Sequence, residues 1–449
     1  MSRAETERWG ALLVAVAALL VTVTCSRESR LEPATAAGRK GPRVVTSAPP
    51  PPASASSLPS AAATDSASAP APVAAPQTGT SAREPLSLKH FQQALAALVA
   101  KTRKDHVRIL WLGDSHTAAD FMTGTLRRRL FLRFGPGGPG LVRLGANTYR
   151  HDGVKLVRDG RWRMEPEPPS RRTTEGDSAL GFEGMRAIPL DSHARVEARI
   201  DARQVVGTVR YELLFDLPRG ASFRLGVGKT RHLIDGRTSV EHAPGSPIVR
   251  LRLEAPVSDA LEISDVTGSP RFYGVLAEGS EPGVVLDTSG IDGARVATAL
   301  AWDPDVLAAE LSARSPDLMA IAYGTNEAFD NRRAEVIGTD LGTLVARLRR
   351  GAPNADCLVV GPPDAAAPDF TSLPHVVELE DALQRASARL GCAFFSLRLA
   401  MGGDGAFEHW LHASPQLARG DRIHFTTAGY EVLGDAVASA LIDAYEAKK

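Results

Sequence analysis

Residues 106–116 read HVRILWLGDSH. An apolar run from Val107 to Leu112, broken only by Arg108, stops at Gly113-Asp114-Ser115-His116. A short run of large and β-branched side chains is the pattern of a strand covered on both faces. Its abrupt polar end has two readings. Gly, Asp and Ser collect in turns. The same residues can also present a hydroxyl nucleophile at the mouth of an α/β sheet.

The pattern on either side favours the sheet. LSLKHFQQALAALVAKTR (86–103) has apolar residues at helical spacing, and AADFMTGTLRRRLFLRF (118–134) reads as one helix running to the GPGGPG loop. Arg127, Arg128 and Arg129 are expected on its solvated face. Further on, GVVLDTSG (283–290), LMAIAYGTNE (318–327), CLVVGPPD (357–364) and CAFFSL (392–397) read as strands. Helical patterns separate them over 303–314, capped by Asp303, and over 333–350 and 375–391. A last helix closes the chain at 427–447. Strands alternating with helices predict a parallel sheet with both faces covered.

Between these halves the style changes. ARVEARIDARQ, GTVRYELLFDL, ASFRLGVGK, IVRLRLEAP and ALEISDV alternate at period two and are separated by Gly, Pro and Asp. Several such runs predict a small antiparallel β-sandwich inserted into the α/β domain. The expected organisation is an α/β domain at 85–150 and 279–449, with a β-rich insert at 151–278.

The N-terminus reads as an address. ALLVAVAALLVTVT (11–24) is short for a membrane span, which needs about 20 apolar residues, and suits a signal peptide. Cys25 stands where a lipoprotein carries its lipidated cysteine, although Thr22 and Thr24 depart from that motif. Residues 1–25 are therefore expected to be a signal peptide or lipoprotein anchor. Residues 26–84, dominated by Ala, Pro, Ser and Thr, are expected to form a disordered tether. Lys plus Arg equals Asp plus Glu at 52 each, which argues against a dedicated nucleic-acid binder. Cys357 and Cys392 open two strands; a disulfide and two buried apolar residues are both open.

In open parallel sheets, ligands bind beyond the carboxyl ends of the strands. Acyl transfer there needs a nucleophile, a base and donors aimed at the developing oxyanion. Ser115 is the candidate nucleophile. His424 is the candidate base, with Asp421 three residues earlier to orient it. The Ser115 and Gly293 N–H groups and the Asn326 side chain are the candidate oxyanion donors, with Gly290 competing with Gly293. Asp114 is read as structural, and Glu327 and Asp364 as a hydrogen-bonding rim. His409 and His412 fit no strong zinc motif. Trp410 is open between sugar stacking and packing.

GDSH, GIDG, GTNE and DRIHFT, in this order, resemble the blocks of the SGNH (GDSL-type) hydrolase superfamily. The resemblance implies a flavodoxin-like three-layer fold with a five-stranded parallel sheet. It also implies a serine esterase with Ser115, Asp421 and His424 as catalytic residues. Gly293 and Asn326 become oxyanion donors, and no metal or organic cofactor is required. His116 replaces the usual Leu, a variant similar to subfamilies acting on acetylated polysaccharides. An inserted β-domain resembles peptidoglycan O-acetylesterases. The expected partners are an acylated polysaccharide such as peptidoglycan and a membrane, the latter through the N-terminal anchor only. The expected location is the periplasm or cell surface. Two other readings are an acyltransferase using the same site and a non-catalytic envelope-binding lipoprotein.

Overall fold

Strand β1, Val107–Gly113, is buried along its whole length, and its side chains alternate between two helical layers. Val107, Ile109 and Trp111 pack with residues of helices α1 (Lys89–Val99), α2 (Met122–Phe134) and α6 (Thr427–Glu446). Leu110 and Leu112 belong to the opposite core, with helices α3 (Pro304–Arg314), α4 (Ala334–Gly351) and α5 (Pro374–Leu390). The computed structural model describes residues 86–145, 149–170 and 178–447. The expected signal or anchor, Cys25 and the tether lie outside the described residues.

The other core strands are β2 (Val284–Gly290), β3 (Leu318–Ala322), β4 (Asp356–Gly361) and β5 (Ala393–Ser396). They pair in the order β2-β1-β3-β4-β5, all parallel. The result is a three-layer α/β fold with a five-stranded sheet. Gly113 pairs with Gly290 and Ala322, so three strands end level at one edge. Cys357 and Cys392 form a disulfide that links β4 to the start of β5.

The insert is a pair of antiparallel sheets. One is built on Val209–Asp216, Val249–Ala255 and Arg271–Gly279, and also recruits Gly140–Val142. The other centres on Leu261–Thr267, flanked by Arg195–Ile200 and Ser222–Val227. Their inner faces share one apolar core. Within it Phe223 meets Phe215 and Phe272 edge-on, at 5.3 and 5.0 Å between ring centres.

Buried ion pairs join this sandwich to the α/β core. Glu278 of the insert binds Arg108 and Arg314, and Arg314 also binds Asp287 of β2. Arg250 binds Glu310 of α3. Arg108 thus has a partner at the lower end of β1, which explains a cation inside an apolar strand.

The expected helix over 118–134 is divided. A first short helix, Ser115–Ala118, stops before α2 begins at Met122. Asp120 lies between them with φ +47°. Its buried carboxylate accepts from Thr123 Oγ1, Arg127 and the Asp152 N–H, and these bonds hold the left-handed turn. Arg127 is accordingly buried rather than solvated, whereas Arg128 and Arg129 pair with surface acids.

Candidate active site

The end of β1 turns sharply because Gly113 has no side chain. A Cβ there would lie 2.1 Å from Thr117 Oγ1. Asp114 then caps the next helix, its Oδ1 accepting from the His116 N–H at 3.0 Å. Ser115 is the first residue of that helix.

Its partner arrives from the far end of the chain. Ser115 Oγ lies 3.0 Å from His424 Nε2. His424 Nδ1 lies 3.0 Å from Asp421 Oδ2. Asp421 Oδ1 accepts from the backbone N–H groups of Ile423 and His424, which fixes the carboxylate in the turn. Burial opposes ionisation of Asp421, but these two N–H bonds and the His424 ring hold its carboxyl below the ordinary value. An ionised carboxylate accepts only, so Nδ1 carries the proton and Nε2 is left to accept from the Ser115 hydroxyl.

The donors expected for an oxyanion lie on adjacent strand ends. Gly293 follows β2 in a turn with φ +72°. Asn326 sits in the Thr325–Phe329 helix after β3. Its Nδ2 donates to Ala294 O at 3.0 Å, which ties the two segments together and leaves its second N–H free of that bond. Gly290 has a different task. It is the last residue of β2, and a Cβ on it would lie 2.2 Å from the Ala118 nitrogen. The structure therefore brings Ser115, His424 and Asp421 into one hydrogen-bonded chain, with Gly293 and Asn326 on neighbouring strand ends.

Residues 259–432 match the model of the GDSL-like lipase/acylhydrolase family. Over those residues, less than half of the chain, the sequence is similar to GDSL-type (SGNH) hydrolases. The matched stretch includes Gly293, Asn326, Asp421 and His424, whereas Ser115 lies before the insert. Among solved structures, the fold is similar to a peptidoglycan O-acetylesterase at 23% identity and TM-score 0.66, covering 80% of this chain and 96% of that one. Shorter likenesses are TesA (18% identity, TM-score 0.26, 36% of this chain and 80% of that one) and a lipase/acylhydrolase from Enterococcus faecalis (22%, 0.27, 35% and 74%). The chain matches no curated protein sequence.

Beside this site, His116 does not compete with His424. Its ring is buried beside His424, 5.5 Å between ring centres, and its Nδ1 bonds the Tyr430 hydroxyl at 3.0 Å. Burial first, and the neighbouring His424 second, push its pKa down to about 3, so His116 stays neutral. It has no carboxylate partner of its own among its described bonds.

The other strand-end acids are internal struts, not a rim. Glu327 is buried and accepts the Val296 N–H at 2.8 Å; burial raises its pKa against that bond. Asp364 is buried and accepts from Ser372 Oγ and the Phe407 N–H. Trp410 is packed edge-on against Phe425, with its Nε1 donating to Met401 O, so it is core and not a stacking platform. His409 lies in the helix Ala406–Leu411 and His412 caps it. Among the described residues no group of three or more His, Cys, Asp or Glu is gathered for a metal ion. Sequence reasoning missed Arg295, Asp330 and Tyr430. Their only signal is position: each lies within a few residues of a recognised block.

Proposed function

We propose that the protein is an exported serine esterase that removes short acyl groups, chiefly acetyl, from a cell-envelope polysaccharide such as peptidoglycan. The observation that carries this reading is the chain of two 3.0 Å contacts from Ser115 Oγ through His424 to Asp421. Ser115 attacks the ester carbonyl while His424 takes its proton. Asp421 holds the ring and balances the imidazolium. The Ser115 and Gly293 N–H groups and the Asn326 amide stabilise the oxyanion. His424 then protonates the leaving alcohol, and water, activated by His424, resolves the acyl-enzyme.

The polysaccharide substrate draws support from the likeness to a peptidoglycan O-acetylesterase, which covers 80% of this chain and 96% of that one. Export draws support from the apolar N-terminal run and from the Cys357–Cys392 disulfide, a bond favoured in oxidising compartments. Cys25 is proposed as the membrane anchor. Acetate release from O-acetylated peptidoglycan, compared with acetylated xylan, tests the substrate. Faster release from xylan would overturn the peptidoglycan assignment.

A further inference from the structure

The loop that carries Gly293 is tied to the helix that carries Asn326 at three consecutive residues. Ala294 O accepts from Asn326 Nδ2 at 3.0 Å. Arg295 forms a two-toothed pair with Asp330, at 2.5 and 2.8 Å. The Val296 N–H donates to Glu327 at 2.8 Å. The Arg295 guanidinium also reaches back, and its Nη1 donates to the Gly293 carbonyl at 2.5 Å.

That last bond falls where conformational freedom is greatest. Gly293 has φ +72° and no side chain to pack, so only its peptide groups can fix it. A guanidinium gripping a carboxylate with two parallel bonds has a set orientation. Arg295 therefore relays the position of Asp330 onto the Gly293 carbonyl. Asp330 is four residues from Asn326 and directly follows its helix. One side chain thus links the turn bearing the backbone donor to the element bearing the amide donor.

We propose that Arg295 is a positioning residue for the oxyanion hole, clamping Gly293 to Asp330 so that the Gly293 N–H and the Asn326 amide keep one fixed separation. The proposal rests on the esterase reading of Ser115. Arg295 and Asp330 are 30% and 45% exposed, so their pair contributes little to global stability. Its effect falls on the transition state, where a displaced donor no longer meets the developing charge.

The test uses the full chain and p-nitrophenyl acetate. Wild type and Ser115→Ala are compared first; equal rates would sink the esterase reading itself. Given an active wild type, Arg295→Met, Arg295→Lys, Asp330→Asn and the Arg295→Met/Asp330→Asn double variant follow. Each single change is expected to lower kcat about tenfold with KM altered less than about twofold. Lysine keeps the charge but not the fork, so it is expected to fall with methionine. The double variant is expected to be no slower than the slower single one, because both break the same clamp. Melting temperatures should stay at the wild-type value. Wild-type kcat in Asp330→Asn, multiplying losses in the double variant, or losses that track the unfolded fraction would each overturn the clamp. Asp330→Asn carries the test if the Arg295 variants fail to fold.

Discussion

Gly290 approaches Ala118 so closely that a Cβ on it would lie 2.2 Å from the Ala118 amide nitrogen. The end of β2 thus supports the short helix that begins with Ser115. Gly290→Ala must push that helix away. Overpacking of this kind costs about 1–3 kcal/mol, and the proposed nucleophile moves with it. Gly293→Ala meets no backbone, its nearest neighbour being Ser170 Oγ at 3.4 Å, and bears only the strain of positive φ, about 1–2 kcal/mol. Melting curves of the two variants check the ranking: both lower, with Gly290→Ala at least as low as Gly293→Ala.

His116 is a neutral wall beside His424, not a second base. His116→Phe keeps a ring against Phe425 and His424 but removes the bond to the Tyr430 hydroxyl. The Tyr430 hydroxyl keeps its bond with the Phe425 backbone and loses one buried partner, at a cost of about 0.5–1.5 kcal/mol. The variant is expected to melt lower yet retain ester hydrolysis within about tenfold of wild type, whereas His424→Ala loses on the order of a thousandfold or more. Steady-state rates on p-nitrophenyl acetate decide it. Comparable losses in the two variants would mean that His116 takes part in proton transfer.

Asp114 makes stability depend on pH. Burial, and secondly the nearby Glu327, raise its pKa from 3.8 to about 7, against the bonds from His116 and Thr325. Between those values the folded protein holds a proton that the unfolded chain has released. Stability from this group is therefore complete below about pH 4 and is lost as pH rises through 7. Asp114→Asn keeps an acceptor for the His116 N–H and carries no charge. Denaturant melts should show the variant close to wild type at pH 4 and progressively more stable up to pH 8, by an amount on the order of a few kcal/mol. Parallel pH dependences in both proteins would count against this account.

Much of this architecture is legible in the sequence. The five core strands announce themselves by apolar runs that stop at Gly or a small polar residue, because a strand buried on both faces tolerates little else. The four blocks fall at strand ends or in the turn before α6, because chain ends and turns are where irregular backbone can carry function. What escaped depends on partners far along the chain. Arg127 reads as surface until Asp120 turns inward to meet it. Glu327 and Asp364 read as rim acids until the Val296 and Phe407 N–H groups claim them. Gly290 and Gly293 look alike in sequence; only the approach of Ala118 separates a packing position from a turn. The relation of Cys357 to Cys392 follows from the pairing of β4 with β5, which periodicity does not supply.

The Cys357–Cys392 bond closes a separation of 35 residues. Chain-entropy arguments assign a loop of that length about 3–4 kcal/mol. A Cys357→Ala/Cys392→Ala variant should melt several degrees lower while kcat stays near wild type, since the bond lies at the starting ends of the strands, away from Ser115. A variant that melts like wild type would show that the bond adds nothing to stability.

The central claim is that Ser115 becomes acylated through His424. Brief incubation with p-nitrophenyl acetate, acid quenching and peptide mass spectrometry test it most directly. The account predicts an acetyl adduct on the peptide carrying Ser115, with a burst of nitrophenol in wild type if deacylation is slower than acylation. Both should be absent from Ser115→Ala, and the adduct should fall steeply in His424→Ala. Turnover that persists in Ser115→Ala, or an adduct on another residue, would contradict it.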